Sequence, residues 1–146
     1  MFRSKVLREI WRKGKVEVAK TNLPMPTDAE LEILTVLWQR GASTVREVHE
    51  ALSESREMGY TTVLKLMQIM AEKGLVRRDE RQRAHVYEAR LAQEQTQRQL
   101  VGDLLERAFD GSAMNLVMQA LQTTKASAEE LSQIRILLDE FERGAR

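Results

Sequence analysis

The chain has 146 residues, 42% hydrophobic and 31% charged, with no cysteine, two histidines and a formal net charge of +1. This suits a soluble chain of one modest domain, or a small domain with an appendage, and it excludes disulfides, cysteine nucleophiles and thiolate metal sites. No apolar run approaches a membrane span, and Arg and Lys interrupt the N-terminal stretch where a secretory apolar region would lie, so a cytoplasmic protein without membrane insertion is expected.

The charge is unevenly spread. Residues 1–23 hold seven Lys/Arg against Glu9 and Glu17. This basic leader, assigned to residues 1–25, also carries Phe2, Leu7, Ile10 and Trp11. Its composition admits a DNA-binding arm, a membrane-surface helix or a disordered extension. The rest of the chain is slightly acidic, apart from Lys73, Arg77, Arg78, Arg81 and Arg83, which crowd one short stretch.

Pro24 and Pro26 separate the leader from the folded part. Thr27 and Glu30 then form a capping-box pattern, and Leu31, Leu34, Leu37 and Trp38 follow at helical spacing, so a helix is predicted over about 28–39. Gly41 stands where such a helix would end in the left-handed conformation. Thr44 and Glu47 repeat the capping pattern before Val45, Val48 and Leu52, which predicts a second helix over about 45–53. A polar loop from Ser53 to Met58 leads to a third helix, over 61–73. At 100° per residue, Val63, Leu66, Met67 and Met70 fall on one arc, and Thr61, Lys65, Gln68 and Glu72 fall on the opposite one. Lys73-Gly74 ends it. Residues 75–78 and 84–89 read as two short strands around a turn near Gln82. Three helices followed by a hairpin are the winged form of the helix-turn-helix plan, here assigned to residues 26–90.

After Arg90 the pattern is helical throughout. Gln97, Val101, Leu104, Leu105 and Ala108 mark a fourth helix, and Phe109-Asp110-Gly111-Ser112 breaks it. Met114, Val117, Met118 and Leu121 mark a fifth. Ser127 and Glu130 form a third capping pattern, and Leu131, Ile134, Leu138 and Phe141 share one face of a sixth. Helices of this length do not readily bury their apolar stripes alone, so residues 91–146 read as a helical dimerisation domain. Leu104, Leu105, Val117, Leu121, Ile134, Leu138 and Phe141 are the expected contacts of a homodimer. The fold class is therefore mainly α: a winged helix-turn-helix followed by a helical dimerisation domain.

The polar stripe of the third helix is either a solvated face or a surface that meets base edges. Lys65 can donate to guanine, Gln68 can grip adenine, and Thr61 and Thr62 can reach phosphate or a thymine methyl. The basic hairpin is either a charged, solvated edge or a set of phosphate or minor-groove contacts. His49 reads as an ordinary surface residue, and His85 as structural or phosphate-facing. No Gly-rich phosphate loop, nucleophile motif or paired-carboxylate site is visible, so no enzyme activity, cofactor or metal site is expected. Two functions fit these features: a homodimeric DNA-binding repressor, or a winged-helix scaffold for protein interaction without sequence-specific DNA binding.

The segments PTDAELEILTVLWQRG, TVREVHEAL, YTTVLKLMQIMAEKGLVRRDERQRAHVYEA and FDGSAMNLVMQAL…LSQIRILLDEFE, taken in order, resemble the BlaI/MecI/CopY family of bacterial repressors over about Pro26 to Glu142. The resemblance implies a dimer that sits on an inverted-repeat operator in double-stranded DNA and blocks transcription. It implies Thr61, Thr62, Lys65 and Gln68 as recognition-helix contacts, and Arg78, Arg81 and Arg83 as wing contacts. In some members a membrane sensor metalloprotease triggers cleavage and release. Three departures stand out, one being that the basic leader lies outside the usual span of the family. A C-terminal cysteine cluster that senses copper is missing. The Asn-Phe bond cut in the β-lactam repressors has no counterpart, since Asn22 and Asn115 are each followed by Leu.

Overall fold

The computed structural model of the chain describes residues 23–145. The readings of the basic leader therefore lie, up to residue 22, outside the described residues. In chain order the elements are α1 (Asp28–Arg40), β1 (Ser43–Thr44), α2 (Val45–Ser53), α3 (Tyr60–Lys73), β2 (Val76–Asp79), β3 (Val86–Ala89), α4 (Gln93–Ala108), α5 (Ala113–Thr123) and α6 (Ala128–Ala145).

Local chemistry sets the helix ends. Thr27 and Thr44 each accept from the backbone of the residue three places on, while Glu30 and Glu47 reach back to the cap amides, closing both capping boxes. Gly41 ends α1 at φ 85° and ψ −165°, so it lies in a region open essentially to glycine and not in the left-handed helical region that was expected. Gly74 does take the left-handed conformation, at φ 84° and ψ 18°. There the Leu75 amide donates to the Met70 carbonyl at 2.9 Å and the Gly74 amide to Ala71 at 3.3 Å, a Schellman end that drops both Met70 and Leu75 into the core.

The three helices pack around one core. Ile33, Leu34 and Leu37 of α1, Val48 and Leu52 of α2, and Val63, Met67 and Met70 of α3 are its buried apolar centre. A three-stranded antiparallel sheet in the order β1-β3-β2 closes it. Tyr87 of the central strand β3 is buried, with Ser43 opposite on one side and Arg78 on the other. Strand β1 was not expected from the sequence, because its two residues are defined only by pairing with Val86 and Tyr87. The hairpin strands start one or two residues later than the sequence pattern suggested.

One ion pair ties the start of this unit to its end. The Glu30 side chain is 2% exposed and accepts from the Lys73 ammonium at 2.6 Å. Lys73 therefore leaves the group of free cations in which its sequence neighbours had placed it. Burial pushes the Glu30 carboxyl up, but the Lys73 hydrogen bond, the Thr27 amide and the nearby positive charge outweigh it and hold the carboxyl below its ordinary value of 4.5. On the far side, the Trp38 indole donates to the Leu91 carbonyl at 2.9 Å, so the hairpin exit is pinned to α1.

Backbone contacts divide the described chain into two units, residues 23–97 and residues 98–145. In the second unit Asp110 and Gly111 have φ values of 49° and 78°, which turns the chain sharply after α4. The Ser112 hydroxyl then accepts from the Asn115 amide to start α5, and the Ser127 hydroxyl accepts from the Glu130 amide to start α6. Fully buried side chains are missing from α5 and from the described part of α6.

The Glu30–Lys73 pair gives a stability test. Replacing Lys73 with Met leaves a buried carboxylate short of its main partner and should cost about 2–4 kcal/mol in urea unfolding at pH 7. Because the folded Glu30 value is the lower one, its contribution is complete above about pH 4.5 and is lost as pH falls through the folded value. The Lys73→Met chain should therefore show a smaller further loss between pH 5 and pH 3 than the wild type. An equal loss in both would place the acid sensitivity elsewhere.

Candidate nucleic-acid interface

The surface begins with the two sides of α3. Val63, Met67 and Met70 have no exposed area, and this fixes the rotation of the helix. Thr61, Lys65 and Gln68, with Glu72, then occupy an arc of roughly 60° on the opposite side, and all four are exposed. Thr62 is exposed on one flank of that arc. Ile69 lies on the same flank, more than a third exposed despite its branched apolar side chain. The sequence reading passed over Ile69 because it belongs neither to the buried arc nor to a polar stripe. An exposed aliphatic group beside hydrogen-bonding side chains is suited to a thymine methyl.

The hairpin stands beside this stripe. Gln68, Ala71 and Glu72 of α3 line one open groove together with Val76, Arg77, Arg78 and Glu80 of the wing. The three wing arginines singled out from the sequence differ in state. Arg78 lies directly across from Tyr87, and its guanidinium is held by the Tyr87 hydroxyl and by Glu80 at 2.6 Å, which together raise its already high pKa. Its charge is engaged within the wing. Arg81 is gripped by Asp79: Nε donates to Oδ1 at 2.9 Å and Nη2 to Oδ2 at 2.7 Å, while the Arg81 backbone amide donates to Oδ1 at 3.0 Å. The Arg81 hydrogen bonds hold the Asp79 carboxyl down at about 2. Arg83 is exposed at the wing tip and forms no ion pair among the described residues.

At the N-terminal end of α3, Tyr60 is half-exposed and meets His49 of α2 edge to face, with ring centroids 5.8 Å apart. His49, read from the sequence as an ordinary surface residue, and Tyr60, which periodicity left unremarked, thus meet at the start of α3. Arg46 and Glu50 flank them. His85 is exposed just before β3.

Of the expected dimer contacts, Leu104, Val117, Leu121 and Leu138 are exposed, and Leu105, Ile134 and Phe141 are partly covered. Val101, Met114, Met118 and Ile136 are exposed with them, and Met114 reaches 74%. Ile136 lies on the side of α6 away from the Leu131–Phe141 stripe, so a search for one apolar arc could not find it. Among the described residues, no group of His, Asp and Glu is placed to hold a metal ion, and no helix is long and apolar enough to cross a membrane.

The family model described as penicillinase repressor matches residues 26–140. The transcriptional regulator BlaI of Mycobacterium tuberculosis is 35% identical over 119 residues, covering 80% of this chain and 85% of that protein. The penicillinase repressor of Bacillus licheniformis is 24% identical over 118 residues, covering 81% and 92%. The solution structure of the B. licheniformis BlaI monomeric form in complex with the blaP half-operator aligns with a TM-score of 0.45 at 24% identity, over 51% of this chain and 90% of that one. The family match spans both the winged helix and most of the helical tail, and with the M. tuberculosis relative it establishes that the chain belongs to the penicillinase repressor family.

Proposed function

We propose that the chain is a DNA-binding transcriptional repressor that acts as a homodimer on an inverted-repeat operator. The observation that carries this reading is the division of α3 into a fully buried apolar back and an exposed stripe of Thr61, Lys65 and Gln68. A helix of this kind lays its outer side in the major groove, where Lys65 can donate to guanine and Gln68 can hold adenine by two bonds. Thr61 and Thr62 contact phosphate or a thymine methyl, and the wing reaches the DNA through Arg81 and Arg83, with the unpaired Arg83 set against the adjacent backbone. Arg78 serves this surface as a brace, because Tyr87 and Glu80 already hold it. The protein-scaffold alternative is less favoured, since the relatives are named as regulators of transcription and the exposed side of α3 is polar.

The tail supplies the second half-site. One winged helix offers few base contacts, and two linked copies raise the effective concentration of the second. The supporting feature is the apolar surface on α4, α5 and α6 left exposed in the single chain. Such patches are uncommon on monomers. Helix α6 is apolar on two sides, through Leu138 on one and Ile136 on the other, and this suits a helix covered from both sides in an assembly. Release from DNA then follows from breaking the linkage between the two units. Helix α4 runs through that junction, so a sensor-linked protease acting there needs local opening first.

Replacing Lys65 or Gln68 with Ala should cost about 1–3 kcal/mol at the operator and little on random DNA, measured by titration of both duplexes. Equal losses on the two would remove these residues from base reading. Arg83→Ala should weaken binding to every sequence and lower the salt slope by about one counterion. An unchanged slope would take Arg83 off the phosphates.

The dimer has its own test. A chain ending at Gln97 retains both partners of the Trp38–Leu91 bond, and it should sediment as a folded monomer while the full chain sediments as a dimer. A tight dimer of the shortened chain would place the interface in the winged helix.

A further inference from the structure

The Asp79–Arg81 pair is more closely built than a surface ion pair requires. Exposed pairs usually contribute little, because holding two long side chains in one geometry costs entropy, and a bidentate Arg–carboxylate pair is the exception. Here Asp79 accepts from Nε, from Nη2 and from the backbone amide of the same arginine. Asp79 is itself fixed at the end of β2, paired with Val86 in the sheet. The carboxylate occupies one edge of the guanidinium, the Nε–Nη2 edge. The other edge, with both hydrogens of Nη1 and the outer hydrogen of Nη2, has no partner among the described residues. The Arg81 side chain is 87% exposed, so this free edge faces solvent at the base of the wing loop.

We infer that Asp79 is a positioning residue for DNA recognition, holding Arg81 by one edge so that the other meets hydrogen-bond acceptors on base edges in the minor groove. The inference deepens the repressor reading and rests on it. A free arginine loses much of its rotamer freedom when it binds. One already clamped has lost that freedom in advance, and its fork arrives in a single orientation. The acidic partner has a second consequence. It subtracts one positive charge from the wing, so the clamp weakens attachment to DNA of any sequence while it sharpens contact at a matching one. Minor-groove acceptors differ little between A·T and T·A, so Arg81 would separate A·T from G·C positions beside the half-site.

These two effects have opposite signs, and Asp79→Asn in the full chain separates them. Binding is measured at fixed salt to the protected duplex upstream of the protein's own coding region and to a random duplex of equal length. The expected result is an operator affinity lower by about tenfold, from loss of the fixed fork, with a random-duplex affinity higher by about twofold, from removal of one negative charge. Asp79→Glu should restore part of the operator affinity. In an Arg81→Ala background, Asp79→Asn should no longer lower operator affinity. A rise on both duplexes would show that Asp79 only masks charge and would overturn the inference. So would a fall on both, which would mark a residue needed for the wing fold, or an operator loss that persists without Arg81. A wild-type chain with no preference between the two duplexes would instead remove the repressor reading itself.

Discussion

The buried side of α3 constrains everything else. Val63, Met67 and Met70 face α1 and α2 with no exposed area, and a helix so anchored cannot rotate without moving a thioether or a valine into water. Each such side chain is worth about 1.5–3 kcal/mol of burial, so the outward direction of Thr61, Lys65 and Gln68 is enforced by the core behind them. Recognition needs side chains held to a fraction of an ångström, and sites on rigid elements achieve that better than loops. The same anchoring explains the Schellman end at Gly74. Leu75 must return to the core at once, and this starts β2 close beside the stripe.

A second constraint comes from charge. The folded winged unit is not strongly basic, and several of its cations are held by acids: Lys73 by Glu30, Arg78 by Glu80 and Arg81 by Asp79. Such a surface gains little from general attraction to phosphate. On the proposed reading, selectivity then rests on geometry: weak background binding to unrelated sequence lets a small number of base contacts decide the site. Glu72, on the same arc as Lys65 and Gln68 but a turn further on, adds to this by disfavouring close approach of phosphate at that end of α3.

The sequence revealed those features whose causes are local. Thr27 with Glu30 and Thr44 with Glu47 are three residues apart, so both capping boxes could be read directly, and α3 declared its two sides through periodicity. Non-local features were hidden. Glu30 and Lys73 are 43 positions apart, and nothing near either residue announces the other. Strand β1 exists only because β3 passes beside it. The wing arginines were identifiable as charges but not by state, since what distinguishes Arg83 from Arg78 is a partner fixed by strand register. The apolar stripes of the tail were legible as surfaces in need of cover, whereas Ile136 was not, because it lies outside the single arc that periodicity selects.

The central claim is that one surface, made of the outer side of α3 and the wing, carries the contact with DNA. Amide chemical-shift mapping tests it most directly: uniformly labelled protein is titrated with a duplex carrying its operator half-site. The largest shifts should fall at Thr61, Thr62, Lys65 and Gln68 and across residues 80–85, with α5 and α6 little changed. Shifts concentrated on the open side of α1 and α2, around Glu32, Gln39 and Arg56, with α3 silent, would contradict it.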